Sequence, residues 1–272
     1  MAIREQHRIG QMGLFPCNSN GNVFTTVQAA INDLAGDGWV YVPAGDWAEN
    51  ITISDNLVTL FGVGRDSYIN GGTTGDGITV TGTDCHIYNL RVSTTIDGGA
   101  SYHGIDVAAN YCWIHNVYIS QSDRIGIYLN ATNAIITDCY IQVTQHWGIY
   151  LDAGADNCIV SNNSINNTSY DGIETASTAE YNVITGNLVL AWTGEPINCN
   201  SSTTVVANNN CGGSVMNSLG CSHGTIQGAI DHVEAYGEGG VVTIPIGTWD
   251  EELTIQDDAI TLQGMGKGSI LV

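Results

Sequence analysis

The chain has 272 residues, with 34 Gly and 12 Tyr, and sets 27 Asp+Glu against 6 Lys+Arg for a formal charge of −21. That balance excludes nucleic acid and anionic membrane surfaces as partners, and it speaks against a polyanionic polysaccharide unless divalent cations bridge the two. No run of about 18 uncharged apolar residues exists, so no membrane insertion is expected, and the opening Met1–Arg8 lacks the apolar stretch of a secretory signal.

Residues 1–19 read as an N-terminal arm or tether. Thr25–Ala35 then reads as a short amphipathic helix with Val27, Ala30, Ile31 and Leu34 on one face. A solenoid that follows would expose core and strand edges at its open end, and this helix is placed to cap it. Short strand-like runs follow at Trp39–Gly45, Glu49–Ile53 and Leu57–Gly64.

From residue 77 an internal repeat takes over. A Gly-Ile tetrapeptide starts at Gly77, Gly104, Gly126, Gly148 and Gly172, with a degenerate copy at Pro196, so the spacings are 27, 22, 22, 24 and 24 residues. Each copy alternates apolar and polar, the period of a strand with one buried face. A second strand follows each copy, at Cys85–Asn89, Cys112–Asn116, Ala134–Asp138, Cys158–Asn162, Asn182–Gly186 and Thr204–Asn208. A third supplies Val92, Ile119, Ile141, Ile165 and Val189.

Three short strands per repeat fit neither helical repeats nor propeller blades, which need roughly 40 residues and four antiparallel strands. The expected fold is all-β: a right-handed single-stranded parallel β-helix, its coils stacked at about 4.8 Å. Like residues then lie over like residues. Cys85, Cys112 and Cys158 fall in one inward column, and Asn89, Asn116, Asp138, Asn162 and Asn208 fall at one turn. Two explanations suit that turn: amides hydrogen-bonding up the stack, or tolerance of left-handed geometry. Asn163, Asn187 and Asn209 form a neighbouring column.

The opening recurs about 200 residues later. Thr225–Asp231 matches Thr26–Asn32, Val242–Trp249 matches Tyr41–Trp47, Glu251–Ile255 matches Glu49–Ile53, and Ile260–Gly266 matches Val58–Gly64. The domains expected are therefore 20–213, a complete parallel β-helix, and 214–272, the capping helix and first coil or coils of a second. The apolar end of that second solenoid needs cover, either from chain beyond Val272 or from another subunit in a head-to-tail assembly.

Val27–Ile31, Val40–Gly45 and Thr59–Gly64 resemble the standard opening of the pectin-lyase-like superfamily of parallel β-helix proteins, a likeness spanning residues 20–212 and again 222–272. The resemblance implies the fold. Its activities range from pectate lyases and polygalacturonases to phage tailspikes and other virion or cell-surface proteins, so function must come from the site. Lyases of the superfamily use an outward Arg or Lys beside calcium-holding carboxylates. Here Arg65, Arg91 and Arg124 lie within the coils, and Asp123–Arg124 is the lyase candidate. The Gly-His-Gly and Arg-x-Lys motifs of polygalacturonases are missing.

The outward positions of the Gly-Ile strands form the column Thr79, Asp106, Tyr128, Tyr150, Glu174, Asn198. Asp106 and Glu174 stand three coils apart, about 14 Å, beyond the spacing of a glycosidase pair. Asp171, Glu174 and Glu195 are the catalytic candidates, with His146 and Trp147 beside them. The reading requires no cofactor, and Ca2+ is the ion those oxygens would suit. Glycan-binding or interface candidates are Tyr128 with Tyr150, Tyr118 with Tyr140, Trp113 beside Tyr88 and His115, and Trp147; stacked rings suit sugars or protein partners, and equally stabilise neighbouring strands.

The eight cysteines read as buried thiols, including the adjacent Cys85 and Cys112, and the sequons at Asn50, Asn130, Asn162, Asn166, Asn167 and Asn200 read as by-products of Asn- and Thr-rich turns. The expected role is a structural, receptor-binding or glycan-binding protein without turnover on a virion or cell surface. Its partners would be a surface glycan or other surface subunits, and copies of itself as a trimer or head-to-tail assembly. The alternative is a polysaccharide lyase or glycoside hydrolase of the tailspike kind.

Overall fold

A computed structural model describes residues 14–96, 102–211, 215–217, 222–223, 225–236, 240–256 and 259–272. Most of the expected arm lies outside that range. Cys17 and Asn18 pair antiparallel with Tyr41 and Val40, and both are buried.

The repeating segments build a right-handed parallel β-helix with three sheets. Among the described residues the first sheet, which carries the Gly-Ile strands, has 11 strands, the second has nine and the third has seven. Helix α1 (Val27–Asn32) packs Val27, Ala30 and Ile31 against the core of the first coils. Each strand is short because alternation lasts one triplet with a half-buried residue between two buried ones, as in Ile127–Leu129, before a turn redirects the chain.

In the first sheet the registers are unbroken across the Gly-Ile coils. Ile105, Ile127, Ile149, Ile173 and Ile197 stack inward in the first sheet, and Asp106, Tyr128, Tyr150, Glu174 and Asn198 stack outward beside them. The glycine preceding each of the first four isoleucines is required by close approach. A Cβ on Gly126 would meet the Gly148 carbonyl oxygen at 2.5 Å and Ile141 at 2.6 Å, and one on Gly148 would meet Gly172 and Ile165 as closely.

Cys85, Cys112 and Cys158 are all buried in one column, the next positions being Ala134 between the last two and Asn182 beyond. They are free thiols. Cys85 Sγ donates to the Asp55 carbonyl at 3.3 Å and Cys158 Sγ to that of Ala131 at 3.1 Å.

The two asparagine columns behave differently. Asn89, Asn116, Asp138, Asn162 and Asn208 all have φ between 50° and 56°, so left-handed geometry is what selects them. Within that column Asn116 Nδ2 does donate to Asn89 Oδ1 at 2.6 Å. The amide ladder proper is the buried neighbour: Asn163 Nδ2 donates to Asn187 Oδ1 at 3.0 Å and Asn187 Nδ2 to Asn209 Oδ1 at 2.9 Å. Each carbonyl oxygen also accepts a backbone N–H of the previous coil, which satisfies donors the turn strands in the core.

Past the last complete coil, Ser222–His223 pairs antiparallel with the Ile197 strand and with Val215–Asn217, which in turn pairs with Gly240–Ile244. Helix α2 (Ile226–Tyr236) buries Ile226, Ala229, Ile230 and Val233 against Val242 and Ile244. Gly240–Ile244 then runs parallel with Ile260–Gly264, and Gly247–Trp249 with Ser269–Leu271.

Candidate functional site

The outward column of the first sheet and the turn residues feeding it make one continuous face. Backbone bonds set the turn column: the N–H of Gly77, Gly104, Gly126, Gly148 and Gly172 donate to the carbonyls of His103, Ile125, Trp147, Asp171 and Glu195. Side chains at these positions therefore stand beside Asp106, Tyr128, Tyr150 and Glu174.

The rings interlock. His103 stacks on Tyr128 at 4.9 Å between centroids, Tyr128 meets Tyr150 at 5.9 Å, and Trp147 stacks on Tyr150 at 4.6 Å. His146 stacks on Tyr170 at 4.6 Å and meets Trp147 edge-on at 5.4 Å. Asp152, at the end of the Tyr150 strand, accepts from both tyrosine hydroxyls, at 3.3 Å from Tyr150.

This face is also where the protein leaves polar groups dry. Among the described residues, His103 Nδ1, Asp106 Oδ1, His146 Nδ1 and Trp147 Nε1 are buried with no hydrogen-bond partner, although buried polar atoms are ordinarily paired. Burial and the nearby Arg124 charge push the His103 imidazole down to about 4 and lower that of His146, so both are neutral at pH 7. Burial and then the Asp76 charge push Asp106 up to about 6. Burial, followed by a hydrogen bond and charge repulsion from Asp171, raises Glu174 well above the usual carboxylate range. A raised carboxyl of this kind carries a proton near neutrality.

The three catalytic candidates divide. Asp171 and Glu174 form the carboxyl pair just described, and Asp171 also accepts the Glu195 N–H, as Asp76, four coils earlier, accepts the His103 N–H. Glu195 turns towards His223 of the C-terminal hairpin, its Oε2 3.5 Å from Nδ1. Among the described residues no three His, Cys, Asp or Glu side chains converge in metal-holding geometry.

The aromatic candidates fall on three faces. Tyr128, Tyr150 and Trp147 share the first sheet. Tyr118 and Tyr140 sit on the third, under the Arg65 guanidinium at 4.1 and 5.1 Å, while Arg91 covers Tyr68 at 4.0 Å. Their ring faces are thus taken by cations, and two of the three coil arginines are used there. Trp113 lies on the second sheet, stacked on His115 at 4.4 Å. His103, Tyr170 and Asp152 were not among the candidates. His103 was findable, since it precedes its Gly-Ile motif as Trp147 does; Asp152 had no sequence signal, because its role depends on where two tyrosine hydroxyls end.

These features define a parallel β-helix with one ring-lined, partly desolvated face. The model of the right-handed β-helix region family matches residues 45–211, and the chain belongs to that family. Among solved structures, ORF18 of Geobacillus virus E2 is 13% identical, with a TM-score of 0.60, covering 89% of this chain and 56% of its own. The pectin methylesterase of Aspergillus niger is 13% identical, with a TM-score of 0.56 over 90% of this chain and 83% of its own. A mannuronan C-5 epimerase A-module of Azotobacter vinelandii is 17% identical, with a TM-score of 0.52 over 63% of this chain and 54% of its own. The chain spans about half the length of the viral protein and the epimerase module. At these identities the likeness is one of fold. No curated protein sequence matches the chain.

Proposed function

We propose that the protein binds a neutral surface glycan along the first-sheet face, without turning it over. One observation carries this: rings on successive coils border four buried polar atoms that find no partner among the described residues. Strand stabilisation accounts for the stacked rings alone, but it would not strip hydrogen-bond partners from His103, Asp106, His146 and Trp147. A sugar meets both needs, since its C–H faces lie against rings while its hydroxyls satisfy convergent polar groups. A charge of −21 favours a neutral glycan over a polyanion. Such a role places the protein on a virion or cell surface, where host glycans are met.

A second reading, acid–base turnover, is favoured by the raised Glu174 carboxyl, because a proton held near pH 7 is what a general acid needs, with Asp106, mostly ionised at pH 7, as the other carboxyl. Their separation of three coils, about 14 Å, does not suit a glycosidase pair flanking one bond.

Glycan-array binding of the purified chain, followed by mass analysis of any ligand found, tests both. Tyr128→Ala with Tyr150→Ala is expected to weaken binding at least about tenfold, the ligand mass staying unchanged. Cleavage products that disappear in Glu174→Gln would replace the first reading with the second. The dry carboxylate has its own signature. Because folding raises the Asp106 pKa, its contribution is intact below about pH 4 and is lost as pH rises through about 6. Asp106→Asn should therefore melt higher than the wild type at pH 7 and match it near pH 4; equal melting at both would show that Asp106 is well solvated.

A further inference from the structure

The outer face of the second sheet is built unlike the rest of the molecule. Its strands present Trp39, Thr59, His86, Trp113, Ile135, Ile159, Val183 and Val205 in one outward column, and Tyr41, Phe61, Tyr88, His115, Thr137, Ser161, Thr185 and Ala207 in the other. None of these sixteen is Asp, Glu, Lys or Arg, in a chain with 27 acids. Carboxylates enter at the bordering turns, among them Asp84, Asp138, Asp156 and Glu180. Exposed large apolar side chains gather on this face. Trp39 and Trp113 are each 37% exposed, Ile159 38%, Val183 37% and Val205 56%, and Leu57, Tyr111 and Tyr181 edge it at 55–60%.

We propose that this face is where copies of this chain pack side by side. Charge selects the occupant. A basic partner would be served by an acidic patch, which a chain of −21 has in abundance. A face cleared of charge is what such a chain needs to meet a surface as acidic as itself, and its own copy is that surface. The chemistry argues against a second sugar platform, because the half beyond Trp113 offers branched aliphatic side chains rather than flat rings. Size fits as well. Eight parallel strands at about 4.8 Å, about five residues wide with the turns, give roughly 600 Å2 in flat projection. That approaches the ~800 Å2 per partner of a stable interface, and stands at the upper end of the largest patch that a monomer ordinarily carries, about 300–600 Å2. This rests on different residues from the glycan reading, so either can fail alone.

Sedimentation velocity of the purified chain at micromolar concentration is expected to give a multiple of the single-chain mass. Ile159→Glu with Val205→Glu is expected to sediment as a single chain with an unchanged circular dichroism spectrum, while Leu190→Glu on the third sheet leaves the assembly intact. Should the double variant misfold, a photo-crosslinking amino acid in place of Trp113 gives the same answer in an otherwise unaltered chain, a covalent dimer being expected. A wild type that sediments as one chain, an assembly untouched by the folded double variant, or crosslinks within single chains alone would each overturn the proposal.

Discussion

The two openings of this molecule, residues 27–62 and 226–264, make the same hydrogen bonds and differ in what covers them. Glu49 accepts the Val27 and Gln28 N–H at 2.8 and 3.0 Å; Glu251 accepts those of Ile226 and Gln227, both at 3.0 Å. Gln28 clasps the backbone of Thr52 through both ends of its amide, and Gln227 clasps Thr254 in the same way. Trp47 and Trp249 each donate Nε1 to a proline carbonyl four residues back, at 3.1 and 3.2 Å. Burial separates them. Ile53, Leu60 and Ile69 are fully buried, whereas Ile255 is 46% and Leu271 48% exposed and Leu262 is half-buried. Local bonds thus travel with the sequence segment that makes them, while burial is conferred by the coil stacked next.

The largest expected contrast is in core truncation. Leu60→Ala should cost about 3 kcal/mol in denaturant unfolding, because the coil carrying Ile87 closes over it. Leu262→Ala, with no such coil against it among the described residues, should cost less than about 1 kcal/mol. Equal costs would mean that burial follows the segment after all.

Removing the carboxylates probes the shared half of the comparison. Glu49→Ala and Glu251→Ala each strip two backbone amides of their acceptor, and each should lose about 1–2 kcal/mol of local protection, read as amide exchange over 27–32 and 226–236. A large difference between the two would break the equivalence. The smallest effect belongs to the clasp: Gln28→Ala and Gln227→Ala should each free the facing threonine N–H by roughly 0.5–1 kcal/mol. Exchange at Thr52 and Thr254 reports it.

The architecture was legible because the repeat length equals the coil length. Once Gly77, Gly104, Gly126 and Gly148 are aligned, every neighbour across the sheet follows, and the Cys85–Cys112 contact and the Asp106–Glu174 separation could be read before any coordinates. The candidate site was legible in part. Tyr128 with Tyr150 and Asp171 with Glu174 are register neighbours or share one turn. Asp152, by contrast, joins the site through the reach of its side chain.

Amino-acid order alone therefore determined the solenoid, its register and the duplicated opening, since each depends on contacts repeated at one fixed spacing. Tertiary structure alone decided which rings share a face, which were already covered by Arg65 and Arg91, and that the Glu195 carboxylate would meet His223. Those outcomes turn on where side chains end and on a hairpin arriving from outside the repeat, neither of which a periodic pattern encodes.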